Sequence, residues 1–147
     1  MYKRILVPTD GSTLSKKALR SAIDLASSIG AEVIALNVVP RYPVSYFDGG
    51  VVVPGEDVSR VEKQWAEHGQ VLADQAAGSA GKAGVKARGV TVRSNLVAES
   101  ILAGARKNKC DLVVMASHGR KGLKRLLLGS ETQHVLTHGD IPVLVLR

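Results

Sequence analysis

Aromatic side chains are nearly missing from this chain: one tryptophan, one phenylalanine and three tyrosines stand among 147 residues. Proteins that hold unpaired bases stack them on aromatic rings. The shortage therefore argues against a nucleic-acid partner, although Lys and Arg outnumber Asp and Glu by 20 to 13 for a formal net charge of +7. It also means that Val, Leu, Ile and Ala must build the core, a composition that suits helices packed on an aliphatic sheet. The single cysteine, Cys110, excludes an internal disulfide, and its place just before an apolar strand marks a buried, inert thiol rather than a nucleophile. No apolar run reaches the length of a membrane span. Lys3-Arg4 leads straight into Ile5-Leu6-Val7 with no signal-like segment, so a soluble, cytoplasmic protein with no membrane contact is expected. At this length residues 1–147 should form one domain with a substantial core.

What is present is an alternation of short apolar runs and helical periodicities. Lys3 to Pro8 reads as a buried strand. Thr9-Asp10-Gly11-Ser12 turns the chain into a helix marked by Leu14, Ala18, Leu19, Ala22, Ile23, Ala26 and Ile29, which Gly30 is placed to end. Glu32 to Pro40 is a second strand, apolar enough to be covered on both faces. From Arg41 to about Asp57 runs a loop broken by Pro43, Gly49, Gly50, Pro54 and Gly55, and Tyr42, Tyr46, Phe47 and Val51 to Val53 give it apolar surface suited to a flap or a partner contact, disorder being the alternative expectation. Val58, Val61, Trp65, Leu72 and Ala76 mark a second helix, fraying in the glycines from Gly78 to Gly84. Val85 to Val92 is a more alternating strand, as expected near a sheet edge. A third helix follows around Val97 to Ala105, then a strand from Asp111 to Met115, a short helix from Ser130 to about Thr137, and a last strand from Ile141 to Leu146. The order βαβαβαβαβ argues for an open five-stranded parallel sheet with helices on both faces.

In such sheets ligands sit beyond the carboxyl ends of the strands, where strand order reverses. If the first and fourth strands flank that point, Pro8-Thr9-Asp10 faces Met115-Ala116 across it. Asp10 can accept hydrogen bonds from adenine or ribose. Beyond Ala116 come Ser117-His118-Gly119 and then Gly129-Ser130-Glu131-Thr132, small residues opening a helix whose N-terminal amides favour phosphate. Four cations, Arg120, Lys121, Lys124 and Arg125, lie between these segments, and Arg120 and Lys121 are assigned to the phosphates on charge alone, a solvated face being the alternative.

Rival chemistries fail on spacing. The Gly78 to Gly84 cluster has two residues, not four, before its Gly-Lys pair, and Ala83 follows Lys82 where a P-loop needs Ser or Thr. Ser117 sits where a nucleophile elbow would place it, but Met115 replaces the first glycine. His134 and His138 stand four apart like zinc ligands, yet Val135 occupies the glutamate position of HExxH. A phosphoacceptor site would want clustered carboxylates at the strand ends, and only Asp10 is in place.

Val7-Pro-Thr-Asp-Gly-Ser12, Asp111-Leu-Val-Val-Met-Ala-Ser-His-Gly-Arg120, Leu126-Leu-Leu-Gly-Ser130 and Pro142-Val-Leu-Val145 resemble a universal stress protein, in order and spacing from one end of the chain to the other. The resemblance implies a Rossmann-like sheet of order 3-2-1-4-5 and, in the nucleotide-binding branch, a Gly-x2-Gly-x9-Gly-Ser/Thr motif that holds ATP. Here Gly119, Gly129 and Ser130 match that motif and Ala116 departs from its first glycine. The departure matters because another branch lacks the motif and is not thought to bind ATP. By the same resemblance Val38 should offer its backbone to adenine with Met115 nearby, and Gly119, Gly129, Ser130 and Glu131 should offer backbone donors to the phosphates of ATP accompanied by Mg²⁺. The expected protein is a nucleotide-dependent stress-response regulator, slow in ATP hydrolysis at most. The alternative is a dimeric interaction module of the same fold without nucleotide. Either form is expected to dimerise through the apolar edge at residues 141–146.

Overall fold

The computed structural model describes residues 1–43, 54–119 and 128–147. Among them the elements run β1 (Arg4–Pro8), α1 (Thr13–Ile29), β2 (Glu32–Val39), α2 (Gly55–Lys82), β3 (Ala87–Arg93), α3 (Val97–Lys107), β4 (Leu112–Ala116), α4 (Ser130–His138) and β5 (Val143–Leu146). The strands pair in parallel in the order β3-β2-β1-β4-β5, the order that the family resemblance implies.

Period-two alternation divides the apolar strands between two cores. Ile5, Val7, Val33, Ala35, Leu112 and Val114 point to one face, under Ala18, Ala22 and Ala26 of α1 and Ala76 and Ala80 of α2. Leu6, Ile34, Leu36, Val113 and Met115 point to the other, under Ile101, Leu102 and Ala105 of α3 and Val135 of α4. Because β1, β2 and β4 are covered on both sides, their sequences read as apolar runs, interrupted in β2 by Asn37. Ser12 caps α1 by accepting from Ser15 N–H at 3.2 Å, and Gly30 closes it at φ 72°, a left-handed conformation that favours glycine. Asp111, just before β4, accepts from Lys3 and Arg4 N–H at 2.9 and 3.0 Å and so ties β4 to β1. Cys110 is buried, and that desolvation pushes its thiol up to about 11, which keeps it protonated and inert.

The long helix departs from the sequence reading at both ends. It starts at Gly55, with Glu56 and Asp57 in the first turn where acidic groups favour the dipole, and it continues through Gly78 and Gly81 to Lys82 without fraying. Local propensity opposes this by up to about 1 kcal/mol per glycine. Packing overrides it, because Gly69, Ala73, Ala76 and Ala80 form a buried stripe on that helix. Gly78 and Gly81 lie off the stripe, and a Cβ at either would meet open space. Gly78→Ala and Gly81→Ala should therefore each stabilise the protein by roughly 0.5–1 kcal/mol in urea unfolding. A loss of stability in both would contradict a regular helix there.

Candidate functional site

β1 and β4 are neighbours, with Ile5 beside Leu112 and Leu6 beside Val113. After β1 the chain crosses to α1 on one face, and α4 packs on the other. Their carboxyl ends therefore border the point where strand order reverses, and a cleft of about 630 Å³ opens there, within the roughly 300–1,000 Å³ usual for small-molecule sites. One part of its wall is apolar, with Leu36, Val38, Pro40, Val97, Ile101 and Met115, and the rest is lined by polar and small residues.

At the end of β1, Thr9 N–H donates to Leu36 O at 2.8 Å and Asn37 Nδ2 donates to Thr9 O at 2.7 Å. Asp10 Oδ1 accepts from Ser12 N–H at 2.9 Å. A Cβ on Gly119 would lie 3.0 Å from Asp10 Oδ2, so the chain leaving β4 passes directly over that carboxylate. Residues more than a hundred positions apart thus meet at the rim.

At the end of β4, Gly129 N–H donates to Ser117 O at 2.7 Å, and a Cβ at 129 would stand 3.1 Å from His118 Cα and 3.2 Å from Ser117 O. The buried Thr132 hydroxyl, 2% exposed, donates to Ala116 O at 2.9 Å. The Gly129 amide, expected to donate to phosphate, therefore instead holds β4 to α4, as the Thr132 hydroxyl also does. Gly129 also serves as the N-cap of α4, and no side chain caps that helix. The first amides of a helix have no partner within it, so those of Ser130, Glu131 and Thr132 remain for the cleft that these residues line. Ala116 lies in regular β4 backbone paired with Leu146, and positive φ outside glycine occurs, among the described residues, only at Lys109. Its methyl therefore costs no backbone strain.

Glu131 does not cap its own helix, as its position in the first turn suggests. Its Oε2 accepts from Ala98 N–H at 2.8 Å and so caps α3, whose own N-cap residue, Leu96, makes no side-chain bond. Glu131→Ala should cost about 1–2 kcal/mol in urea unfolding, whereas Glu131→Gln, which keeps an acceptor oxygen, should cost less than half of that. Equal losses in the two variants would count against the cap.

Pro8, Thr9, Asp10, Val38, Met115, Ala116, Gly119, Gly129, Ser130, Glu131 and Thr132 all line this one cleft. Arg120 lies outside the described residues, as do Lys121, Lys124 and Arg125. The sequence reading missed Ser94, Asn95, Val97 and Ile101, which follow β3 and complete the wall. The carboxyl-end rule applied to β3 would have pointed to Ser94 and Asn95. It also passed over Asn37, the one polar residue in Val33–Val39. The His134 and His138 rings stack at 4.1 Å, and no group of three or more metal-ligating side chains forms among the described residues.

Fold and cleft define a doubly wound, Rossmann-like α/β protein with a cleft at its switch point. The chain belongs to the universal stress protein family, whose model matches residues 1–147. A universal stress protein of Methanocaldococcus jannaschii is 36% identical over 148 residues, covering 100% of this chain and 83% of the relative. Another, YxiE of Bacillus subtilis, is 32% identical, covering 100% of both. The solved structure of the M. jannaschii protein MJ0577 aligns with a TM-score of 0.84 at 28% identity, covering 99% of this chain and 96% of that one. Three universal stress proteins share the fold at lower identity: one in complex with cAMP (TM-score 0.70, 23%, covering 99% and 97%), one from Archaeoglobus fulgidus in complex with dAMP (0.63, 19%, 99% and 98%), and one from Arabidopsis thaliana with AMP bound (0.65, 17%, 98% and 90%).

Proposed function

We propose that residues 1–147 form one universal stress protein domain whose cleft binds ATP and that occupancy of the cleft is the signal this stress-response protein transmits. One observation carries the reading: Asp10, Gly119 and the uncapped start of α4 converge on a cleft that Leu36, Val38, Val97, Ile101 and Met115 also line. An adenine ring suits the Val38, Ile101 and Met115 side, ribose suits Asp10, and phosphates suit the amides of Ser130 to Thr132. Arg120 and Lys121 belong to this reading as phosphate partners by charge. Mg²⁺ enters with the nucleotide, held by its phosphate oxygens. That other members of the fold have been solved with cAMP, dAMP and AMP supports an adenine nucleotide as the ligand class.

Hydrolysis is proposed to be slow or absent. The segment from Ala116 to Ser130 contains no carboxylate, and that of Glu131 is committed to Ala98, so neither offers a base for water. The second reading, an interaction module without nucleotide, is favoured by one departure, Ala116 in place of the motif's first glycine. Denaturing the purified protein and identifying released small molecules by mass spectrometry separates the two. Released adenine nucleotide supports the first reading. A clean supernatant, from protein that also fails to take up added ATP, supports the second.

We further propose a cytoplasmic homodimer formed through β5. No helix among the described residues is long and apolar enough to cross a membrane. β5 lies at the sheet edge beside β4, and Leu144 of the strand and Leu136 of α4 are 42% and 40% exposed. An uncovered apolar edge invites strand pairing, and a two-fold axis closes the contact. Light scattering after size exclusion should give about twice the 15.5 kDa chain mass, and Leu144→Lys should halve it. A wild-type monomer at micromolar concentration removes the proposal, and a dimer that survives Leu144→Lys moves the contact elsewhere, the loop from Tyr42 to Val53 being the next candidate.

A further inference from the structure

We propose that Asn37 is the positioning residue of the cleft: its side chain replaces the next rung of the sheet, fixes the Thr9–Asp10 end of β1 and leaves the backbone of Val38 directed at the ligand. For its consequence on binding this rests on the nucleotide reading above. Asn37 is 6% exposed in a strand that is otherwise apolar after Glu32. Burying an amide is costly unless its hydrogen bonds are made, so its presence there needs a role.

The β1–β2 ladder ends at Pro8 beside Leu36, and Thr9 N–H still reaches Leu36 O at 2.8 Å. Continuing a parallel ladder would bring Val38 N–H to Thr9 O. Asn37 Nδ2 takes that carbonyl instead, at 2.7 Å. Thr9 is thereby held through both its N–H and its C=O, with Asp10 next in the chain. Val38, which lines the cleft, keeps a donor and an acceptor directed past the end of β1, the pair that the edge of an adenine requires.

The helix above fixes the side chain in turn. A Cβ at Gly69 would stand 2.5 Å from both Asn37 Oδ1 and Val39 Cγ2, so the α2 backbone rests on the amide and glycine is what admits it. Thr91, opposite Asn37 in the β2–β3 register, supplies a control, since its buried hydroxyl has no partner among the described residues.

Asn37→Leu keeps the shape and removes the donor. In the ligand-free protein, native-state hydrogen exchange at the Thr9 amide should speed up by about tenfold while Ile5 to Val7 keep their protection. Affinity should fall about tenfold for ATP and by the same factor for adenosine, because the defect lies at the base end. Thr91→Val should leave both readouts unchanged. Unaltered Thr9 exchange, a loss confined to ATP, or an equal effect of Thr91→Val would each overturn the proposal. If the wild type bound neither ligand while Thr9 exchange rose in the variant, the positioning role would stand and the nucleotide reading would fail. Asn37→Ser, too short to reach the Thr9 carbonyl, serves should the leucine variant not fold.

Discussion

Gly129→Asp should abolish most of the affinity for ATP while leaving the fold intact. Aspartate is among the best residues for a helix N-cap, so at this otherwise uncapped position it brings a favourable local term. That term is the reason binding fails, since the new carboxylate takes the amides of α4 that are assigned to phosphate. Two unit charges about 5 Å apart at an effective dielectric of about 20 repel by roughly 3 kcal/mol, about a hundredfold in Kd. The substitution also meets steric resistance, because a Cβ here stands 3.1 Å from His118 Cα. Gly129→Ala carries the same Cβ without the charge and isolates that part. It should weaken binding by less than about fivefold. Calorimetric titration of the three proteins decides the matter, and equal affinity in wild type and Gly129→Asp would be incompatible with phosphate at the start of α4.

Gly89→Val should have the largest effect on stability. A Cβ at 89 would lie 2.6 Å from the carbonyl carbon of Ala73 and 2.8 Å from its oxygen. These are backbone atoms of α2, so no side chain can turn aside. Overpacking ordinarily costs about 1–3 kcal/mol. Here α2 must lift from β3, loosening the buried stripe of Ala73 and Ala76 and the 3.1 Å bond from Gln70 Nε2 to Gly89 O, so a loss of at least about 3 kcal/mol is expected. Urea unfolding measures it. Stability within about 0.5 kcal/mol of wild type would show that α2 does not rest on Gly89.

Gly89 marks where the sequence was silent. Strand and helix order was legible because β1, β2 and β4 are covered on both faces and because α1 carries its own punctuation in Ser12 and Gly30. The polar half of the cleft was legible because Asp10 follows the end of β1 and because Gly119-x9-Gly129-Ser130 matches the motif that the family resemblance implies. What no local pattern encodes is contact between distant segments. Gly89 has no local reason to interrupt a strand until α2 is seen lying on it, and Gly69 none to interrupt a helix until α2 is seen resting there on Asn37 and Val39. Gly78 and Gly81 read as helix breakers, although Ala76 and Ala80 hold that helix to the sheet. Glu131 reads as a cap for its own helix until Ala98 is found within its reach. Asn37 was passed over because one polar residue in an apolar strand leaves no period of its own.

The central claim is that the cleft between β1 and β4 is an adenine-nucleotide site. Calorimetric titration of nucleotide-free wild-type protein with ATP and Mg²⁺ tests it most directly. The expected result is saturable heat at one site per chain, with GTP binding more weakly. No saturable heat up to roughly millimolar ATP, a concentration that reveals even affinities near −4 kcal/mol, would contradict it.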